Sequence, residues 1–172
     1  MLKRRLPIAP LVLAVLAVAV PAHADLTAFL GYSPTPFNRP ARGISVGFGL
    51  LIVGFEFEYS NIPQRDDGPS VQPGIQFGMF NGLLQTPIAV GGVQFYFTAG
   101  GGVYREKLTG SLGDVSETNF ATNVGGGAKI RLVGPLRLRL DYRMLTLRGD
   151  PVVARDPEDR YHRFYAGVNL AF

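Results

Sequence analysis

The stretch Leu136-Arg-Leu-Arg-Leu-Asp-Tyr-Arg143 decides the fold class of this chain, because apolar and charged residues alternate through it. Successive side chains of a β-strand point to opposite faces, so strict alternation is typical of a strand with one apolar and one polar face. Phe55-Glu-Phe-Glu-Tyr59 alternates in the same way, and the segment from Phe164 to Phe172 does so at the end of the sequence. After residue 24 no comparable stretch has the 3.6-residue period of a helix. The sequence therefore predicts an all-β protein.

A weak internal repeat divides the chain into strands. Val-Gly recurs at 53–54, 90–91 and 133–134, each time where one apolar strand ends and an alternating one begins. These sites predict three short hairpin turns, near 51–54, 90–93 and 133–136, with longer connections near 34–42, 61–72, 106–117 and 149–160. The prolines after residue 24 agree, since all lie in or beside a connection, where no ladder N–H is needed. Eight strands result, near 25–33, 43–50, 54–60, 73–85, 93–105, 118–132, 136–148 and 161–172. Residues 83–87 fit either the fourth strand or its turn.

The first 24 residues have the pattern of a cleaved signal peptide. Met1-Leu-Lys-Arg-Arg5 is basic, Leu6 to Val20 is mostly apolar, and Ala22-His-Ala24 is an A-x-A cleavage site. The apolar part is shorter than the ~20 residues of a spanning helix. We therefore expect a signal peptide at 1–24 and one mature domain at 25–172.

Composition excludes several classes of protein. The signal peptide contains three basic residues and no acid, so its removal lowers the formal net charge from +4 to +1. The mature chain therefore lacks the basic excess that is typical of proteins binding nucleic acid. Because the chain has no cysteine, we expect neither a lipoprotein anchor nor disulfides.

Alternation alone does not decide which face of a barrel is the inner one, since a soluble ligand carrier would turn Leu138 and Leu140 inward. Three features favour a membrane barrel. Short and long connections alternate strictly, as in outer-membrane barrels. The mature chain has only two lysines, Lys107 and Lys129, whereas soluble exteriors carry abundant charge. Glycines in 99–102 and 124–127 supply the small side chains that a narrow lumen needs.

Eight strands of this length suit a bilayer, because a tilted strand of ~9–11 residues crosses the hydrocarbon. A closed barrel also leaves no unpaired strand edge in the lipid. The predicted lipid-facing side chains are mostly aromatic or aliphatic: Phe55, Phe57, Tyr59, Phe95, Phe97, Phe120, Val124, Ile130, Leu138, Leu140, Tyr142, Phe164, Val168, Leu170 and Phe172.

The last strand, Ala166-Gly-Val-Asn-Leu-Ala-Phe172, carries the most specific motif. It resembles the C-terminal signal read by the barrel-assembly machinery, and Gly167, Leu170 and Phe172 match that signal, whereas Ala166 replaces a polar residue. With the architecture of residues 25–172, it makes the chain similar to the OmpA/OmpX-type small outer-membrane barrels, also called opacity-like surface antigens. The resemblance implies an eight-stranded antiparallel up-and-down transmembrane β-barrel in the outer membrane. It implies no activity.

The charged residues opposite the lipid face form the main candidate site. By strand parity they share the lumen, which in an eight-stranded barrel is just wide enough for side chains to fill. We expect an ion-pair network there, because buried charges are costly unless they are paired. A lumen that prefers anions and one that gates by exchanging ion pairs are the alternatives. The predicted set is Glu56, Glu58, Lys129, Arg131, Arg137, Arg139, Asp141, Arg143 and Arg163.

The sequence offers no catalytic, metal or cofactor site that we can identify. His162 is the only histidine after residue 24, it has no serine two residues away as in outer-membrane lipid deacylases, and we expect it to point outward at the rim. Asp150, Asp156, Glu158 and Asp159 are interleaved with arginines, which favours a solvated loop over a Ca²⁺ site. The glycine runs lack the spacing of a phosphate-binding loop.

The function predicted from these observations is that of a non-enzymatic structural or surface barrel, with interactions in the four long connections. The alternative is a narrow, porin-like passive conduit for small solutes or apolar molecules. Expected partners are outer-membrane lipid, the barrel-assembly machinery and an unidentified ligand of the loops. We expect a monomer that needs no cofactor and binds no nucleic acid.

Overall fold

The computed structural model describes residues 23–35, 38–50, 52–66, 71–110, 113–149 and 160–172. The strands are β1 (His23–Ser33), β2 (Arg39–Leu50), β3 (Val53–Ile62), β4 (Arg65–Asp66), β5 (Val71–Gln72), β6 (Gly74–Gln85), β7 (Val93–Gly110), β8 (Gly113–Val133), β9 (Leu136–Arg148) and β10 (Arg160–Ala171). Eight long strands form one closed antiparallel barrel in the order β1-β10-β9-β8-β7-β6-β3-β2, and β4 and β5 form a separate two-stranded sheet. The predicted eight-stranded fold is confirmed.

Short connections gather at one end of the barrel, which we call the turn end. Three hairpin connections lie there, between β2 and β3, at 86–92 and at 134–135, and β1 begins and β10 ends beside them. The predicted turn at 90–93 is present, because Val90 and Val93 exchange both backbone hydrogen bonds around Gly91 and Gly92. Both glycines have positive φ, 61° and 81°, as a tight hairpin turn requires. The full connection nevertheless begins at residue 86, since β6 continues through Leu83 and Leu84 to Gln85.

The long connections gather at the opposite end, the loop end, and three of them are shorter or more ordered than the sequence indicated. Strand β2 begins at Arg39 and not near 43. The β2–β3 pairing ends at Arg42, so Pro40 has no partner in β3, and a proline is tolerated at such an edge position. Between β3 and β6, the strands β4 and β5 form a small hairpin within the predicted loop 61–72. Buried Arg39 donates a 2.7 Å hydrogen bond to the carbonyl of Pro73 and so ties this connection to the barrel.

The predicted connection at 106–117 is the largest error in strand assignment. Most of it is strand, because β7 and β8 remain paired from Val93↔Ile130 to Gly110↔Gly113. These strands have 18 and 21 residues, well beyond the ~9–11 that cross a bilayer. A strand that extends beyond the apolar belt needs no alternation of apolar and polar residues. The sequence of 106–117 therefore lacks the strand pattern, although the backbone pairing of β7 and β8 continues. The part of β7 and β8 from residue 106 to 117 is called the ribbon below.

The barrel is inside out relative to a soluble protein. Phe57 is 58% exposed, whereas Glu58, the next residue of β3, is 0% exposed. The same alternation runs along β9, where Leu140 is exposed and Arg139 is buried. The predicted lipid-facing residues all lie on the outer face, although Ile130 and Leu138 are half-buried there. An apolar exterior around a charged interior suits a hydrocarbon solvent.

The lumen is filled in two layers. Towards the loop end, apolar side chains form a core inside the barrel, with Phe77, Met79 and Leu145 each at most 1% exposed. The remaining members of this apolar layer are Ala41, Ile62, Ile75, Tyr104, Ala121 and Tyr161. Charged side chains form the second layer, on the turn-end side of the apolar layer.

The predicted signal peptide, except for His23 and Ala24, lies outside the described residues. These two residues begin β1 and pair with Gly49 and Phe48 of β2, so the cleavage site stays a prediction. The loop acids Asp150, Asp156, Glu158 and Asp159 also lie outside the described ranges. Within those ranges, we find no helix that is both long and apolar enough to span a membrane.

Candidate functional site

Glu56 and Glu58 project into the lumen from β3, and their arginine partners project from β9 and β10. Strands β3 and β9 are four positions apart in the eight-stranded ring, which places them on opposite walls. A lumen this narrow lets long side chains meet at its centre. The ion pairs described below therefore cross the barrel.

Glu56 is the acceptor that joins two arginines of β9. Its Oε1 accepts a 2.6 Å hydrogen bond from Nη2 of Arg143, and its Oε2 forms a salt bridge with Nη1 of Arg139. The Ser45 hydroxyl donates to Oε2 at 3.0 Å, and the Asn81 amide donates to Oε1 at 3.5 Å. Glu56 is 1% exposed, so these four donors replace water around its carboxylate.

Asp141 holds the same two arginines from their own strand. Its Oδ1 accepts a 3.0 Å hydrogen bond from Nε of Arg143, and its Oδ2 accepts one of 3.3 Å from Nη2 of Arg139. The Tyr96 hydroxyl also donates to Oδ2 of Asp141 and accepts from Nε of Arg139 at 2.8 Å. The Arg139 guanidinium lies 4.7 Å from the centre of the Tyr96 ring, a cation–π distance.

Glu58 completes the layer towards the loop end. Its Oε1 accepts from Nη2 of Arg163 at 2.7 Å, and its Oε2 lies 2.9 Å from Nη1 of Arg143. Arg163 also donates to the Ser60 hydroxyl at 2.7 Å and lies over the Phe29 ring. The six charges form what we call the ion-pair layer, with three carboxylates and three guanidiniums: Glu56, Glu58, Asp141, Arg139, Arg143 and Arg163.

Lys129, Arg131 and Arg137 lie nearer the turn end than this layer. Lys129 forms a salt bridge with Asp25 of β1. Among the described residues no acid forms an ion pair with Arg131 or Arg137; Arg137 donates a 3.4 Å hydrogen bond to Oε1 of Gln94. These two arginines therefore stand apart from the ion-pair layer, although strand parity assigned them to the same set.

An open cavity of about 350 Å³ occupies the lumen at the turn end. We call it the vestibule. Lys129, Arg131 and Arg137 line it on one side, Asp25 and Glu56 line it as well, and the glycines of β2 and β3 keep its opposite wall thin. The ion-pair layer begins at Glu56, so the vestibule ends inside the barrel.

Sequence reasoning missed three members of the charged interior. Asp25 is the partner of Lys129, Tyr96 bridges Arg139 and Asp141, and Arg39 anchors the β4–β5 connection. Parity could have found Tyr96, because Phe95 and Phe97 were already placed on the outer face. Asp25 has the parity of Thr27 and Phe29, both buried in the lumen.

The other residues singled out in the sequence lie on the outer face or at the strand ends. Nδ1 of His162 is 2.7 Å from the Tyr142 hydroxyl, on the outer side near the loop end. Gly167 faces inward, where a Cβ would lie 2.9 Å from the Phe29 Cβ, and Phe172 is exposed. The described part of the chain contains no group of three His, Asp or Glu side chains placed to hold a metal.

Comparison with solved structures identifies the fold. Neisserial surface protein A superposes with a TM-score of 0.66 at 17% identity, covering 88% of this chain and 96% of that one. The N-terminal β-barrel domain of OprF from Pseudomonas aeruginosa gives 0.63 at 16%, covering 87% and 97%. A major outer membrane protein from Thermus thermophilus gives 0.61 at 12%, covering 88% and 100%. The expected likeness to small outer-membrane barrels is confirmed for the fold.

The sequence itself matches no family model. No curated protein matches it either.

Proposed function

We propose that this chain is a non-enzymatic outer-membrane barrel with a structural or surface-interaction role, whose lumen is closed by side chains. The single observation that carries the proposal is Glu56, which bridges Arg139 and Arg143 across the barrel. Together with the apolar layer, this contact packs the middle of the lumen with side chains, as in the core of a soluble protein. A filled interior supports a rigid scaffold for the loop end better than it supports a transport pathway.

The loop end is the part that such a scaffold would present to partners. It combines the ribbon with the β4–β5 connection, and the ribbon exposes side chains such as Val115 and Ser116. The apolar outer face would contact outer-membrane lipid. Gly167, Leu170 and Phe172 would be read by the barrel-assembly machinery, and the signal peptide would direct export and be cleaved after Ala24. We expect a monomer, since the closed sheet has no edge between barrel strands to pair with a second copy.

A passive conduit is the second candidate, and the vestibule is the observation in its favour. This cavity enters the lumen from the turn end and reaches Glu56, so that only the two filled layers separate it from the loop end. Exchange of partners within the ion-pair layer would open the first of these two barriers. The apolar layer would remain as the second.

Planar bilayer recordings distinguish the two functions. For the closed scaffold we expect no steady conductance from the unmutated protein, and brief openings at most when Glu56 is replaced by Gln. Steady, anion-selective conductance that disappears in Arg139→Gln would establish the conduit instead. Refolding is verified for each protein by its heat-dependent shift in gel mobility before recording.

A further inference from the structure

Arg131 and Arg137 are direct neighbours across the β8–β9 hairpin, and both face the vestibule. Like charges directly opposite each other on one face of a sheet repel and destabilise the pair. Among the described residues no carboxylate pairs with either arginine to relieve this repulsion, and the partner of Arg137 is the neutral amide of Gln94. Two arginines thus extend from paired backbone positions into the lining of one open cavity.

The other charges described in the lower lumen, from the ion-pair layer to the turn end, balance one another. The three carboxylates of the ion-pair layer match its three guanidiniums, and Asp25 matches Lys129. The surplus of the lower lumen is therefore two positive charges, both at the mouth of the vestibule. Such a surplus in a concave, partly enclosed site concentrates anions there.

The far wall of the vestibule includes glycines of β2, which let side chains of other strands lie against the backbone. A Cβ at Gly47 would lie 2.9 Å from Oδ1 of Asp25, and one at Gly49 would lie 2.8 Å from Nε2 of Gln85. Larger residues at these two positions would therefore push Asp25 or Gln85 into the cavity. The volume of about 350 Å³ is roughly ten times the ~30 Å³ that one water occupies in the liquid.

We propose that the vestibule is a binding site for a phosphate-type oxyanion, held between Arg131 and Arg137 with Lys129 deeper in the cavity. Guanidinium forks match phosphate oxygens in bidentate geometry, and Arg is favoured wherever such planar recognition is needed. A phosphate monoester carries about −1.5 to −2 at pH 7, which matches the surplus of two, whereas the phosphodiester of a lipid headgroup would neutralise one of the two charges. The phosphate comes either from solution at the turn end or from a lipid headgroup in the adjoining leaflet.

Calorimetric titration with inorganic phosphate tests this site in protein extracted from membranes into octyl glucoside, a detergent without phosphate. Ionic strength is held constant with sodium chloride, because exposed charges are screened by salt. We expect saturable binding by the unmutated protein and at least tenfold weaker binding by the double variant Arg131→Gln/Arg137→Gln. Arg148→Gln is the matched control, as Arg148 is an exposed arginine at the other end of β9, and it should bind like the unmutated protein.

A second readout is the urea unfolding midpoint. Without phosphate, the double variant should unfold at the same or a higher urea concentration, because the Arg–Arg repulsion is gone. With phosphate, only the unmutated protein and Arg148→Gln should shift upward. Absence of binding by the unmutated protein, or an equal loss of binding in Arg148→Gln, would overturn the proposal.

Competition identifies the source of the phosphate. A short-chain phosphatidylglycerol added to the same micelles should displace inorganic phosphate if the site is reached from the leaflet. If it does not compete, the site takes free phosphate from solution.

Discussion

Arg163 of β10 donates a 2.7 Å hydrogen bond to Glu58 of β3, although 105 residues separate them in the sequence. Arg143 of β9 contacts Glu58 as well as Glu56, so one guanidinium links both glutamates. Strand β3 is therefore joined through the centre of the barrel to β9 and β10, neither of which is its neighbour in the sheet. The ion-pair layer therefore links strands on opposite sides of the barrel, whereas backbone hydrogen bonds link only neighbouring strands.

Replacing Glu56 by Gln should strongly destabilise the barrel. The substitution leaves Arg139 and Arg143 with less negative charge in a buried site, and breaking one partner of a buried pair costs about 3–5 kcal/mol. We expect a lower midpoint in urea unfolding in lipid vesicles. Glu117→Gln, at an exposed position of β8, should change stability by no more than about 0.5 kcal/mol. Equal midpoints for the two variants would show that the layer contributes nothing.

Arginine in place of Leu140 should impair insertion. Leu140 is 42% exposed on the outer face, between Ala128 and Ala166 of the neighbouring strands. Arginine near the bilayer midplane costs about 2–4 kcal/mol in such barrels. Val115→Arg, on the ribbon, should fold normally because that part of β8 lies beyond the apolar belt. Normal folding of Leu140→Arg into vesicles would contradict our assignment of the two faces.

Truncation of Phe77 tests the apolar layer. Phe77 is 1% exposed within the lumen, and Phe→Ala at a buried site costs about 3–5 kcal/mol. Phe80→Ala on the same strand is the control, since Phe80 is 54% exposed on the outer face and lipid can fill the space it leaves. The urea midpoint should therefore fall much more for Phe77→Ala. A larger fall for Phe80→Ala would mean that the layer does not act as a core.

A methyl group at Gly125 should disturb the ion-pair layer from the neighbouring strand. A Cβ there would collide with the backbone oxygen of Tyr142 and would lie 2.9 Å from Cα and 3.0 Å from Cγ of Arg143. Overpacking of this kind costs about 1–3 kcal/mol. At Gly78 the nearest group is Cγ2 of Val103 at 3.9 Å, so Gly78→Ala should be mild. Thermal unfolding of the two variants compares them directly, and an equal effect would exclude crowding as the cause.

Export provides a prediction at the chain's two ends. The protein made in a Gram-negative host should begin at Asp25, as read by N-terminal sequencing, and should fractionate with outer membranes. Deleting Phe172 should lower the assembled fraction without lowering synthesis. Folded protein recovered from the soluble periplasm would argue against an outer-membrane destination.

Strand parity predicted the inner and outer faces of this barrel because the period of a strand is two whatever its neighbours are. Parity therefore placed Glu56 and Arg139 on the same side of the wall. It does not give the height of a residue along the barrel. For this reason it grouped Arg131 and Arg137 with Arg143, whereas the structure separates them along the lumen.

The apolar layer and the ribbon escaped the sequence for a different physical reason. In the apolar layer both faces of a strand are apolar, as on β6, where buried Met79 precedes exposed Phe80. In the ribbon the strands lie beyond the apolar belt, and residues such as Glu106 and Glu117 remain paired without an apolar outer face. Alternation weakens in both places, although the strand continues. Asp25 shares its strand parity with buried Thr27 and Phe29, so it could have been found in the same way as Tyr96.

The closing seam between β1 and β10 has a consequence for the order of folding. Asp25 lies opposite Ala171, so the two ends of the described chain meet there, whereas β7 and β8 are joined through residues 111–112 alone. Local pairings form at low entropic cost, and pairings between distant segments are slow. We therefore expect the β7–β8 hairpin to form early and the β1–β10 seam to close last. Until the seam closes, the strands form an open sheet, and water can reach the charges of its inner face.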